Sequence, residues 1–450
     1  MLNFNYHGVC NDNCYDLEQI VSKCFKTLFL YTNSYKTNNL ISYNKFTLKN
    51  GLTVLHHEDN SSQLCVLNTL YRVGSKDENP NHTGFAHLFE HLMFGGSINI
   101  KDFDSELQKV GGESNAFTSN DITNYYLTLP ANNIETGFWL ESDRMLSLAF
   151  SQESLNVQKN VVIEEFKERY LNQPYGDIWL KLLPLVYKKH PYSWPTIGKE
   201  ISHIENSSLD DVISFFKRFY SPNNAILSVV GNITLEKTKL LVEKWYNNIP
   251  SQIMSREPYP LEPIQTEPKK ETFAADVPLD VVVKAYHSCK RMHKDYYTTD
   301  LLCDILGTGR SSRLYNTLVK GKKLFSELDC YLTGDIETGL FIIEGKAISG
   351  VNIYEAELAI NTEIALLIKE GIKIDELQKV KNKAETNIKF NDLGVLNKAM
   401  KLAYCEVLGD INLMNTEVDQ YSGVKTADII ALAKKILNEN NCSTLYYLAK

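Results

Sequence analysis

Residues 83–97 read TGFAHLFEHLMFGGS. His87, Glu90 and His91 sit in an otherwise apolar run that closes on Gly95-Gly96, so the segment reads as a helix stopped by glycine. At 100° per residue the two histidines stand about 40° apart, one turn from each other on a single face, the spacing at which two imidazoles can share a tetrahedral ion. Glu90 falls about 60° to the far side of His87. This order reverses the commoner His-Glu-x-x-His and keeps a carboxylate beside the metal, able to act as base without being a ligand. Chance alone produces such a pattern in a chain with this many histidines at a rate on the order of a few per cent. Burying three ionisable groups among Phe85, Leu88, Phe89, Leu92, Met93 and Phe94 is costly unless a metal compensates. A catalytic zinc takes three protein ligands and keeps one position open. The third ligand must therefore come from another element. The helix-like run LNVQKNVVIEEFKERYLNQPYG (155–176) offers Glu164, Glu165 and Glu168, at least two of which are ordinary members of a solvated face.

Working outward, 450 residues are too many for one core and suggest two large domains. Between 249 and 273 the sequence IPSQIMSREPYPLEPIQTEPKKETF has five prolines and no helical period, as an extended linker would. The expected organisation is an N-terminal extension (1–44), a metal-bearing domain (45–250), a proline-rich linker (251–270) and a second domain (271–450). The halves echo one another. A β-rich run ending at Leu70-Tyr71 precedes the motif helix, and one ending at Ala285-Tyr286 precedes a helix-like run at the same spacing; ESLNVQKN (153–160) resembles DELQKVKN (375–382). Strand candidates at 52–57, 64–73, 224–233 and 281–286 mix with helical periods at 211–220 and 354–371. The fold class is therefore α+β, two homologous α/β domains from a diverged internal duplication.

A net charge of −8, with no cluster of Lys and Arg, argues against nucleic acid as a partner. No apolar run reaches the ~18 residues of a membrane span. Nine scattered cysteines without a Cys-x-x-Cys pair read as free thiols in a reducing compartment. Val21 to Tyr31 suits neither a secretory nor a transit signal. The expected compartment is the cytoplasm, with the periplasm as the alternative.

Several longer stretches now carry a resemblance: VGSKDENPNHTGFAHLFEHLMFGGS (73–97), GGESNAFTSNDITNYYLTLP (111–130), QKNVVIEEFKERYLNQPYG (158–176), HPYSWPTIG (190–198), FYSPNNAILSVVGNI (219–233) and, more weakly, GTGRSSRLYNTLV (307–319). In this order they resemble the pitrilysin and mitochondrial processing peptidase family, closest to its bacterial two-domain members. The resemblance implies a zinc metalloendopeptidase with one Zn2+ per chain, held by His87, His91 and Glu165, with Glu164 the runner-up and Glu90 as base. It implies an edge strand at 111–126, where Asn115, Ala116 and Phe117 hold a peptide or unfolded polypeptide by β-augmentation. A supporting Glu-Arg pair common in the family is replaced by Gln158-Lys159. In the second half Leu301, Asp304, Ile305 and Asn387 fall at the places of His87, Glu90, His91 and Glu165, so that half resembles the family's inactive domain, and the resemblance implies two domains facing each other across a chamber. Such a domain usually carries an Arg and a Tyr seven residues apart. This chain has Val319 and Ser326, which implies a homologous partner subunit supplying the pair. The alternatives are a scaffold subunit without chemistry, whose signature would be a lost zinc-site residue, and a zinc hydrolase for a non-peptide substrate.

Overall fold

Two mixed sheets, each built around a strongly β-branched or aromatic centre, organise the chain. The computed structural model describes residues 40–450 apart from 255 and 257; nearly all of the expected N-terminal extension, with its segment 21–31, lies outside the described residues. The first sheet contains β1 (Asn44–Thr47), β2 (Thr53–Glu58), β3 (Leu64–Tyr71), β4 (Glu113–Thr118), β5 (Thr123–Pro130) and β6 (Ala225–Gly231), in the order β1-β2-β6-β3-β5-β4. The second contains β7 (Lys269–Ala275), β8 (Val281–His287), β9 (Phe325–Leu332), β10 (Leu340–Ala347) and β11 (Cys442–Ala449), in the order β7-β11-β8-β10-β9.

The duplication is visible in this topology. Removing β1 leaves five strands whose order and directions match those of the second sheet: β2 and β6 pair in parallel as β7 and β11 do, and the remaining neighbours are antiparallel in both. β3 and β8, which end in the two echoing dipeptides, hold equivalent places. Each is followed by a helix, Phe85–Leu92 in the first half and Tyr296–Leu306 in the second, and later by a long helix, Gln152–Phe166 or Ile374–Asn391. The fold is α+β with two homologous halves.

The central strands of each sheet are buried on both faces, and the halves exchange helices to achieve it. In β3 and β6 the residues Cys65, Leu67, Tyr71, Ala225, Leu227 and Val229 belong to the core under the motif helix. Their neighbours Val66, Leu70, Ile226 and Val230, pointing the other way by strand alternation, are also buried. The cover on that second face is the helix Val395–Val407 from the second half, which packs on β3 and β6 through buried Ala399, Leu402 and Ala403. Reciprocally, Ile178–Val186 from the first half places Ile178, Leu182, Leu183 and Val186 against Val281, Val283, Ile342 and Leu445 of the second sheet. Fully burying one such side chain contributes about 1.5–3 kcal/mol, so each exchanged helix is held by several of them.

An ion pair pins one exchange: Lys398 Nζ lies 2.6 Å from Asp59 Oδ2 just beyond β2. Burial raises the Asp59 carboxyl, but the bonds from Lys398 and Ser61 outweigh it and bring its pKa down to about 2 from the ordinary 3.8. The depressed folded-state value means that the stabilisation is present above the unfolded pKa and is lost as the pH falls toward 2. Lys398→Met is expected to cost about 1–2 kcal/mol near pH 6, allowing for partial solvent screening, with the difference from wild type shrinking below pH 4. Urea denaturation of both proteins across that range checks this; a difference that stays constant down to pH 3 would contradict it.

Candidate metal centre

The motif helix Phe85–Leu92 has eight residues, too few to stand alone in water. Buried Phe85, Leu88, Phe89 and Leu92 anchor it to the sheet. Glycines bracket it. Gly84 adopts φ +90° at the N-cap, where a Cβ would meet the Ile197 carbonyl at 2.6 Å; Gly96, also at φ +90°, would meet the carbonyls of Ile100 and Lys101 at 2.7 Å. The helix ends at Leu92, slightly earlier than the glycine pair suggests, and the backbone N–H groups of Phe94 and Gly95 close the last turn on His91 and Leu92. At the N-terminus the buried Glu78 carboxylate accepts from the N–H groups of Gly84 (2.9 Å) and Ala86 (2.8 Å) and from the Trp194 indole (3.0 Å). Burial pushes the pKa of Glu78 up to about 8, against the pull of those donors. Further along, Tyr125 Oη donates to the Phe89 carbonyl, and the Arg144 guanidinium lies 4.5 Å from the Tyr125 ring centre.

The third carboxylate arrives on Gln152–Phe166. The sequence suggests one helix across 155–176; instead the α-helix stops at Phe166 and passes into a wider π turn over Lys167–Leu171, closed by Asn172 N–H to the Lys167 carbonyl. Such turns recur at functional sites. Of the three candidate glutamates, Glu165 faces the histidines. Its Oε2 lies 3.3 Å from His91 Nε2 and 3.6 Å from His87 Nε2, and the three ligand atoms fall within 4.8 Å of one another. Glu164 points outward and pairs with Lys167 at 2.7 Å, and Glu168 is exposed. The other oxygen of Glu165, Oε1, forms an ion pair with Arg169 Nη1 at 2.9 Å. Thr118 Oγ1, at the end of β4, donates to Glu90 Oε2 at 2.7 Å.

The electrostatics suit a cation. Burial lowers the His87 pKa to about 4, so the ring is neutral at physiological pH, as a ligand must be. Its Nδ1 is buried without a hydrogen-bond partner, which makes Nε2 the useful nitrogen. A hydrogen bond from His91 lowers the Glu165 carboxyl, and burial raises that of Glu90 although Thr118 opposes it. Two imidazole nitrogens and one carboxylate oxygen form a donor set that catalytic zinc uses. Zinc bonds of about 2.0–2.1 Å at tetrahedral angles separate neighbouring donors by about 3.3 Å, close to the 3.3 and 3.6 Å found. The residues fit the ion.

Asn115, Ala116 and Phe117 lie on β4, the outer strand of the first sheet. The Ala116 N–H makes an exposed bond to the side-chain oxygen of Asn115. In the second half Leu301 and Ile305 are fully buried core residues, and Asp304 pairs with Lys383 at 2.8 Å, so no donor set occupies the equivalent place. Val319 lies in the turn Tyr315–Gly321, and Ser326, on β9, donates to the Lys346 carbonyl. Glu78, Thr118 and Arg169 were not singled out from the sequence. All three lie inside the resemblance-bearing stretches, but nothing local marks a strand threonine as the neighbour of a base.

Two histidines and one glutamate are a donor set that zinc metallopeptidases use. Residues 53–196 match the family model "Insulinase (Peptidase family M16)", and residues 206–384 match "Peptidase M16 inactive domain". The chain belongs to peptidase family M16. It is 29% identical over 417 residues to the zinc protease PqqE of Helicobacter pylori, covering 90% of this chain and 93% of that one. To the probable mitochondrial-processing peptidase subunit beta of Schizosaccharomyces pombe it is 26% identical over 309 residues, 66% of this chain and 67% of that one. The crystal structure of a protease from Helicobacter pylori superposes with a TM-score of 0.86 at 28% identity, covering 91% of this chain and all of that one. The periplasmic protease PqqL of Escherichia coli shares the fold, with a TM-score of 0.75 at 17% identity; this chain covers 48% of it.

Proposed function

We propose that this chain is a zinc-dependent metalloendopeptidase in which His87, His91 and Glu165 hold the metal and Glu90 is the general base. The observation that carries this reading is the convergence of two imidazole Nε2 atoms on one oxygen of Glu165, with a non-ligand carboxylate one residue from His91. Zinc bound there would supply a Lewis acid for the scissile carbonyl and acidify water. Glu90, oriented by Thr118, takes a proton from the attacking water and delivers it to the leaving amine. A raised pKa helps the second transfer. Arg169, by holding Oε1, leaves Oε2 free to face the ion, the supporting role that a ligand's outer hydrogen bond plays. The substrate is a peptide or unstructured polypeptide laid along β4 at Asn115, Ala116 and Phe117, with the Asn115 side chain releasing the Ala116 N–H. In this reading 45–250 is the catalytic domain, 251–270 the linker and 271–450 the inactive domain. The cytoplasm is the proposed compartment, supported by the free state of all six described cysteines. Among the described residues no helix is long and apolar enough to cross a membrane.

Glu90→Gln is expected to keep zinc and lose hydrolysis, because it removes the base and preserves the shape. His87→Ala and His91→Ala lose the metal, and Glu165→Gln loses more affinity than Glu164→Gln. Arg169→Ala weakens zinc about 10- to 100-fold. Metal analysis, chelator competition and a quenched unstructured peptide check all of these; substantial turnover by Glu90→Gln, or full zinc occupancy in both histidine variants, sinks the assignment.

One observation favours a second reading, a non-catalytic core subunit: Val319 and Ser326 stand where active relatives are expected to carry Arg and Tyr. Against it, all four zinc-site residues are present. The part of the second half that packs on the first sheet does so on the face away from the motif helix, so it brings no oxyanion donor to the trio from there. We therefore propose a hetero-oligomer in which a homologous chain completes the catalytic chamber. Lacking one oxyanion donor costs roughly 10²- to 10³-fold, so the chain alone binds zinc and cleaves slowly, and Val319→Arg with Ser326→Tyr recovers only part of the rate. A kcat near ~10 s⁻¹, the enzyme median, for the isolated wild-type chain would rule the partner out.

A further inference from the structure

Two hairpins meet at the seam between the halves. In the first, β4 and β5 end their pairing with Thr118 opposite Thr123 and turn through residues 119–122. In the second, β9 and β10 end with Leu332 opposite Phe341 and turn through 333–339. β4 and β9 are the outer strands of the two sheets, with β5 and β10 as their neighbours, so each turn touches its own counterpart in the duplicated half. Asn120 Nδ2 donates to Asp335 Oδ1 at 2.8 Å, and the Ile336 N–H donates to Asp121 Oδ2 at 2.9 Å. The other Asp121 oxygen accepts from Lys76 Nζ and Tyr192 Oη, both at 2.6 Å, and the Tyr192 hydroxyl accepts in turn from the Glu337 N–H at 3.1 Å.

The first half grips its own turn from one side. The N–H groups of Ser75 and Lys76 donate to the carbonyls of Ser119 and Asn120, each at 3.1 Å. Gly74 comes so close that a Cβ there would meet the Asn120 carbonyl oxygen at 2.4 Å. The Asn120 amide nitrogen and Asp121 Oδ2 find their partners in the second half instead. Asp121 is buried, and a buried polar group left unpaired costs roughly 1–3 kcal/mol, so the second half helps fix where the turn sits.

This turn leads directly to the candidate centre. Thr118, the last residue of β4, holds Glu90 Oε2 at 2.7 Å, and only Ser119 separates it from Asn120. With two soft dihedrals per residue and rigid peptide planes between them, a displaced Asn120 carries Thr118 with it. A hydroxyl donor that moves by about 1 Å no longer makes the bond.

We infer that Asp335, on the half that has no metal donor group among the described residues, is a positioning residue of the proposed reaction: it holds Asn120 and the turn 119–122, and thereby Thr118 against Glu90. The inference rests on the peptidase reading and gives the second half a part in it. Two measurements on the full-length chain test it. In hydrogen–deuterium exchange on zinc-free protein, which needs no turnover, Asp335→Ala should speed exchange across 113–130 more than Lys398→Met does, since Lys398 bonds the halves together beside β2 instead. In hydrolysis of a quenched unstructured peptide, Asp335→Ala should lower kcat by up to about 100-fold with zinc retained. Asp335→Asn, which keeps an oxygen for Asn120, should hold most of the rate. Once Thr118→Val has been made, Asp335→Ala should cost little more, because both act on Glu90 through one bond. Asn120→Ala breaks the same contact from the other turn and stands in if Asp335→Ala does not fold. Exchange across 113–130 no faster than in Lys398→Met, or a rate loss that adds in full to that of Thr118→Val, overturns the positioning role and leaves the peptidase reading intact. A zinc-loaded wild-type chain that cleaves no peptide overturns both.

Discussion

Everything at the candidate centre depends on one close approach: a carboxylate oxygen held 3.3 and 3.6 Å from two imidazole nitrogens one helical turn apart. Neither element could arrange this alone. An eight-residue helix is below the length that persists in water, and Glu165 sits where an α-helix gives way to a π turn. The approach is imposed from outside, by four buried apolar side chains under the motif helix, two glycines that let neighbouring backbone come within van der Waals distance, and Glu78 satisfying the helix's first N–H groups. Such anchoring is what a metal ligand set requires, since small displacements of a ligand weaken it.

The same economy of packing explains the two-half architecture. A sheet buried on both faces needs a cover on each, and each half supplies only one cover of its own. Exchange of 178–186 and 395–407 provides the others, and it couples the sheet that carries the candidate metal centre to a half with no such donor group among the described residues. In the second half the places of His87 and His91 are core, with Leu301 and Ile305 fully buried, and Asp304, at the place of Glu90, pairs with Lys383. That half keeps the packing role, and the seam between the halves leaves the cavity beside Phe117.

Much of this was legible in the sequence because the decisive signals are local. The histidine pair is set by the helical repeat, the strands by β-branched runs between turns, and the duplication by echoes at constant offset. Glu165 was one of three candidates on periodicity alone, since adjacent helix positions differ by only about 100°; the family register selected it, and the packing turns it toward the histidines while Glu164 faces solvent. What the sequence did not disclose is tertiary. IWLKLLPLV (178–186) is apolar on nearly every side, so its pattern cannot say which sheet it covers. The π turn has no residue signature, and the contacts of Thr118 and Arg169 with the site exist only once separate elements have docked.

Zinc K-edge X-ray absorption on the zinc-loaded protein tests the central claim most directly, because it reads the ligands without relying on turnover. The account predicts a first shell of nitrogen and oxygen only, at about 2.0–2.2 Å, with outer-shell scattering from two imidazoles, and a His91→Ala protein that no longer holds zinc to give this spectrum. A sulfur shell at about 2.3 Å, or a spectrum unchanged by His91→Ala, would show that the metal is held elsewhere and contradict the account.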